Sequence, residues 1–288
     1  MGKVFVVTDS TADIPKSLVE ELGITVVPLK VHFGEQTYLD GETITPKDFY
    51  GKLREAAQPP TTSQPSPLDF VNQYKRLAEG EDDAHIISIH LSSALSGTFQ
   101  SASIAQNMLE DQLNITVIDS KKASYAIGSI VVGVAAAAKA GKSADYCVEL
   151  AYYLVENTHV YFLVDTLQYL QKGGRIGKAS ALIGTLLNIK PILSLDAVGE
   201  VYAKEKVRGS KKAFARIFEL LKQDGKNYNK IRIGISHADS LELAEETVQA
   251  IKAEFHVESV VLTDIGSVIG THVGPGTIAI TLSSDDFS

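Results

Sequence analysis

Hydroxyl side chains mark the places where this sequence could do chemistry. In HLSSALSGTFQSA, residues 90–102, Ser92, Ser93, Ser96 and Thr98 stand between an apolar run and the helical pattern FQSASIAQNMLE. A strand end that feeds a helix start offers free N–H donors and a dipole suited to a carboxylate or phosphate. The same serines are also good N-caps whether or not anything binds. Three other loops share the character. TDSTADIP ends the first strand with Asp9, Ser10, Thr11 and Asp13, and Pro15 opens the next helix. PPTTSQPSP, residues 59–67, is a stiff loop carrying Thr62, and HVGPGTIAI sets His272 before a glycine–proline–glycine turn. Two basic islands complete the set. KGGRIGK combines a glycine pair with Arg175, whose planar fork can hold an anion bidentately, although glycine and basic residues are equally common at a helix C-terminus. KEKVRGSKK contains Arg208 and reads by default as a solvated face.

Several chemistries have no support in the pattern. The chain contains no GxGxxG fingerprint, Walker loop, HExxH or GxSxG elbow. The spacing leaves a serine hydrolase built on Ser96, His272 and Asp9 open, since triad partners are often remote in sequence. The seven histidines lack metal-ligand spacing, so no metal and no cofactor is expected. The single cysteine, Cys147, excludes an internal disulfide framework and fits a reducing, cytoplasmic setting. A net charge of -8 argues against a nucleic-acid binder, which needs a basic face for phosphates.

The elements that must position these loops follow from hydrophobic patterning. With 44% hydrophobic residues in 288, the chain can bury more than one core, and two domains are expected. Residues 4–7, 24–33, 86–90 and 115–118 read as strands, with helical patterns after most of them; the alternation predicts an α/β fold with a largely parallel sheet. A second series begins near His159 with VYFLV, a helical LQYLQ segment, the apolar SALIGTLLNIKPIL and a hairpin around Asp196 and Gly199. IRIGIS, VVLTD and TIAITL follow, with helices between them. The boundary is set at 157, giving domains 1–157 and 158–288, with helices at 122–140 and 144–156 just before it. The start of the chain enters a strand without a signal-peptide pattern. The longest apolar run, 126–138, is too short to span a bilayer, so no transmembrane segment is expected.

Taken together, TDSTADIP, TTSQPS, LSSALSGT, VIDSKKAS, KGGRIGK with LLNIKPIL, and HVGPG resemble, in this order and over essentially the whole chain, the DegV family of bacterial fatty-acid-binding proteins. The resemblance implies two α/β domains with one long-chain fatty acid between them, its carboxylate gripped by loop hydroxyls and its tail in an apolar tunnel. It further implies a non-catalytic subunit that presents the carboxylate to a separate ATP-dependent fatty-acid kinase, which converts it to an acyl phosphate. Thr62 and Ser96 match the family's carboxylate-binding residues. Arg175, Arg208 and His272 match residues that contact the head group, the acyl phosphate or the partner. No residue is expected to be catalytic. An independent enzyme acting on an acyl or phosphorylated substrate, or a lipid-sensing regulatory module, are the alternatives. For such a ligand the tail dominates affinity: roughly 14 methylenes at about 0.8 kcal/mol each exceed the ~1.5–3 kcal/mol of a hydrogen bond to a charged head. Residues 176–195 and the small-residue helix at 126–138 are candidate tunnel walls, or ordinary core.

Overall fold

A computed structural model of the chain describes residues 2–81, 83–184, 189–257 and 260–287. In chain order the strands are β1 (Val4–Asp9), β2 (Thr25–Val27), β3 (Lys30–Phe33), β4 (Gln36–Leu39), β5 (Thr61–Ser63), β6 (His85–His90), β7 (Asn114–Asp119), β8 (Thr158–Leu163), β9 (Ile189–Leu195), β10 (Val201–Arg208), β11 (Ile231–His237), β12 (Val260–Asp264) and β13 (Ile278–Ser284). The helices are α1 (Lys16–Leu22), α2 (Pro46–Glu55), α3 (Pro67–Ala78), α4 (Thr98–Met108), α5 (Tyr125–Lys139), α6 (Ala144–Glu156), α7 (Gln168–Lys172), α8 (Ser210–Asp224), α9 (Leu241–Glu254) and α10 (Ser267–Val273).

The expected parallel sheet has the order β2-β1-β6-β7, and every pairing in it is parallel. Its strands are apolar on both faces because helices cover both. Val7, Val27 and Ile86 pack under α3 and α4 with Phe70, Tyr74 and Ala105, while Val6, Ile87 and Ile89 pack under α5 and α6 with Ile127, Ile130 and Leu154. Residues 24–33, expected as one strand, form two. Pro28 lacks the N–H that a ladder needs, so β2 stays in the parallel sheet and the chain turns out of it into β3. β3 pairs antiparallel with β4 and β5 as a separate three-stranded sheet, which places Thr62 in a strand, paired with Val31, where the sequence predicted a loop.

The remaining strands form a six-stranded sheet of order β10-β9-β8-β13-β11-β12. The last strand of the chain inserts between β8 and β11 and is antiparallel to both. The hairpin expected around Asp196 and Gly199 joins β9 to β10. One face of this sheet is covered by α8 and α9 through Tyr161, Ile192, Ile233 and Ile280 against Ile217, Leu221 and Ile251. The opposite face, with Val160, Phe162, Leu193 and Ala279, packs against Leu29, Val31, Phe49 and Tyr50 from the first half of the chain. α5 lies between the large sheets, touching β1 on one side and β8, β11 and β13 on the other, and its Ser129 hydroxyl meets that of Ser283 at 2.7 Å. The run 126–138 is therefore core: most of it is buried between layers, and none of it lines the cavity described next.

Candidate functional site

Between the two large sheets lies a partly enclosed cavity. Its body is apolar. Val160, Phe162, Leu195, Val201 and Ala279 form a floor from the six-stranded sheet, and Leu29, Leu91, Val268 and Ile269 close it from the other layers. Side chains two apart on a strand share a face, which puts Val160 and Phe162 on the same surface, and the register sets Phe162 beside Ala279. Leu195 is the part of the expected wall at 176–195 that lines this cavity; residues 185–188 lie outside the described residues.

Four of the five residues singled out in the sequence come together on this cavity: Thr62, Ser96, Arg175 and His272. Thr62 enters from β5. Ser96 comes from the loop before α4, where its Oγ lies 2.9 Å from Thr98 Oγ1 and accepts the Thr98 N–H at 3.3 Å. Arg175 follows α7, whose C-terminal cap is Gly173. Its Nε donates to the Leu95 carbonyl at 3.1 Å and its Nη1 to the Gly173 carbonyl at 2.6 Å, so it ties KGGRIGK to the LSSALSGT loop and keeps three of five N–H bonds for other acceptors. Arg175 and His272 are the only basic side chains on the lining among the described residues.

His272, on α10, meets Thr62 with Nε2 to Oγ1 at 2.9 Å. Burial first, and the nearby Arg175 guanidinium second, push the imidazole down to about 4, so it is neutral at physiological pH. Its Nδ1 has no hydrogen-bond partner among the described residues and abuts Gly173, where a Cβ would lie 2.2 Å from it. An unpartnered imidazole nitrogen is better left as a bare acceptor than as an N–H. With the proton on Nε2, the imidazole donates to Thr62 Oγ1 and the Thr62 O–H is free to donate into the cavity. The end of the cavity is thus a set of donors, a threonine hydroxyl, a serine hydroxyl and a guanidinium, arranged to receive an anion.

The other loops have different work. Ser92 is buried and donates to the Gly199 carbonyl at 2.9 Å, docking the β9–β10 hairpin, and Ser93 donates to Asp119 at 2.6 Å. Asp9 accepts from His90 Nδ1 at 2.9 Å and from the Leu91 N–H at 3.0 Å. His272 therefore lacks the orienting Asp9 of the hydrolase arrangement. His90 Nε2 lies 2.7 Å from Ser88 Oγ, a Ser–His–Asp sequence of contacts, but Ser88, His90 and Asp9 are all fully buried and Ser88 already accepts from Tyr74. Arg208 does not join the other four. It ends β10 and lines a separate groove with Asp165, Lys190 and Ser210. Ser63, Gln64 and Ser124 also line the cavity; they lie inside the quoted motifs, but nothing in their type separates them from ordinary turn residues. No metal-binding cluster and no helix long and apolar enough to cross a membrane occur among the described residues.

A family model described as "Uncharacterised protein, DegV family" matches residues 3–285. The chain belongs to the DegV family. A DegV domain-containing protein of Listeria monocytogenes is 39% identical over 281 residues, covering 98% of each chain. Protein DegV of Bacillus subtilis is 39% identical over 280 residues, covering 96% of this chain and 98% of its own. Solved DegV structures superpose over nearly the full length. A fatty-acid-binding protein from Thermus thermophilus gives a TM-score of 0.89 at 38% identity, covering 98% of this chain and 99% of its own. The Bacillus subtilis DegV, described as a fatty acid binding protein, gives 0.90 at 37%, covering 99% and 100%. A stearic-acid-binding protein from Eubacterium ventriosum gives 0.88 at 26%, covering 99% and 98%. The α/β architecture with its parallel N-terminal sheet is the DegV fold.

Proposed function

We propose that this DegV protein binds one long-chain fatty acid in the inter-sheet cavity and presents its carboxylate to a separate ATP-dependent kinase in the cytoplasm. The observation that carries the reading is the polarity of the cavity. An apolar body ends at Thr62, Ser96, Arg175 and His272, and three of these, Thr62, Arg175 and His272, also line an open groove on the outside with Pro59, Tyr169 and Lys172. A tail held in the body leaves its head where a second protein can reach it. Thr62 and Ser96 donate to the carboxylate, Arg175 supplies charge, and His272 fixes the direction of the Thr62 hydroxyl. Fatty-acid binding by the DegV relatives of known structure supports the ligand class. The two large sheets correspond to domains 1–157 and 158–288, and Arg208, which lines a separate groove, serves the partner. Native mass spectrometry of the purified protein, followed by denaturing lipid extraction, should find about one fatty acid per chain. A protein that is empty and refuses added C14 to C18 acids would refute binding, and a cognate kinase that makes no acyl phosphate from the loaded protein would refute presentation.

A further inference from the structure

His272 sits at the last turn of α10, and α10 has no side-chain cap of its own. Its first donors are taken by carboxyl groups from the other half of the chain. Asp40 Oδ1 accepts from the Ser267 N–H at 2.9 Å and from the Ser267 hydroxyl at 2.6 Å, and Asp13 Oδ1 accepts from the Gly266 N–H at 2.9 Å. The second Asp13 oxygen accepts from Ser124 Oγ at 2.5 Å, and the Asp13 carbonyl accepts from Thr263. Ser267 and Asp40 are 0% and 4% exposed, so these bonds are shielded from water.

Asp40 directly follows β4, and β4 pairs with β3, which pairs with β5. The three-stranded sheet therefore touches α10 twice: Asp40 holds its first turn, and Thr62 of β5 meets His272 in its last. We propose that Asp40, supported by Asp13, is a positioning residue of the head-group site: it sets the place of α10 against the small sheet, and so brings His272 to Thr62. The inference rests on the fatty-acid reading only for its ligand. Burial raises both carboxyl groups above the ordinary carboxylate range, and each also feels Asp9. An amide that keeps the accepting oxygen is thus a close substitute for either.

The test compares Asp40→Ala with Asp40→Asn, using two readouts. The first is the pH titration of the His272 imidazole by ¹⁵N NMR, which needs no ligand; the second is the rate of palmitate release. In Asp40→Ala the imidazole should rise from about 4 toward the ordinary 6.5 as it leaves its buried seat. Palmitate release should be on the order of tenfold faster, the loss of one hydrogen-bonded anchor. Asp40→Asn should restore both, release to within about threefold of the parent. A folded Asp40→Ala protein with the parent's His272 titration would overturn the proposal, as would an Asn variant that behaves like the Ala one. If Asp40→Ala does not fold, Ser267→Ala, which deletes only the hydroxyl donor to Asp40, should shift His272 in the same direction, and no shift would again overturn it. A parent that binds no palmitate sinks the fatty-acid reading and leaves the NMR titration to judge the positioning role.

Discussion

In the proposed fatty-acid site Thr62, Ser96 and His272 would divide the work at the head group, and the division can be measured. Thr62→Ala and Ser96→Ala each remove one donor from a lining position without opening a core cavity, so the fold should survive. If each hydroxyl bonds a charged carboxylate, its loss costs about 1.5–3 kcal/mol, a roughly 10- to 150-fold weaker palmitate affinity. Isothermal titration of both variants checks this, and parent-like affinity in both would remove these residues from the site. His272 carries a second expectation. Its imidazole falls in the folded state from 6.5 to about 4 because the charged form is desolvated beside Arg175. The folded state resists the proton that the unfolded state accepts, so this contribution to stability is complete above the ordinary value and is lost as pH falls from 6.5 toward 4. Denaturant midpoints measured across that window should fall less steeply in His272→Gln than in the parent.

At the scale of elements, the critical contact is between the end of α7 and the end of α10. Gly173 caps α7 with ordinary helical φ and ψ, so left-handed freedom is not what the position requires. It requires the absence of a side chain, because a Cβ there would stand 2.2 Å from His272 Nδ1. Gly173→Ala should leave the parallel sheet and its helices intact while displacing the imidazole from Thr62. The expected outcome is weaker palmitate binding comparable with Thr62→Ala, and a double variant that is little worse than either single one. Additive losses in that cycle would show that Gly173 and Thr62 act separately. The hydroxyl-rich loop before α4 illustrates a different economy of elements: Ser92 and Ser93 anchor its start to the β9–β10 hairpin and to Asp119, which leaves Ser96 to face the cavity.

For the whole molecule, the separation of Arg175 from Arg208 makes the two basic islands distinguishable. Arg175 lines the cavity and bonds the Leu95 and Gly173 carbonyls, whereas Arg208 lines another groove. Arg175→Ala should therefore weaken both palmitate affinity and kinase-dependent acyl-phosphate formation. Arg208→Ala should leave affinity within about threefold, as surface substitutions usually do, and reduce only the kinase-dependent reaction. A fluorescent displacement assay run beside the acyl-phosphate assay separates these outcomes; equal loss of affinity in the two variants would contradict the separation. Ligand held between layers from both halves of the chain should also stabilise them together, by about 2.7 kcal/mol when free ligand is one hundred times its dissociation constant.

By itself the sequence determined what local patterning controls. The β-branched runs at β1, β6 and β7 alternate with amphipathic helices, and that is enough to specify a buried parallel sheet. The loop at 59–67 reads as one that ends by opening a helix, and Ser66 and Pro67 do start α3. The motif set was sufficient for the family and for nominating Thr62, Ser96, Arg175, Arg208 and His272, the first three and the last of which line one cavity. Tertiary structure decided what depends on partners remote in the chain. Pro28 sends one apolar run into two sheets, a choice that depends on which edge lies open. β13 enters the middle of the second sheet, a pairing over more than a hundred residues that periodicity does not encode. The buried run 126–138 is core and not tunnel, because both of its faces are occupied by sheets. Arg175 and Arg208 look alike as basic islands, and only the path of the chain puts one at the cavity and the other in a separate groove. Asp13 was legible only as part of a polar loop and Asp40 not at all, since a carboxyl group becomes a helix cap only when another part of the chain delivers the helix to it.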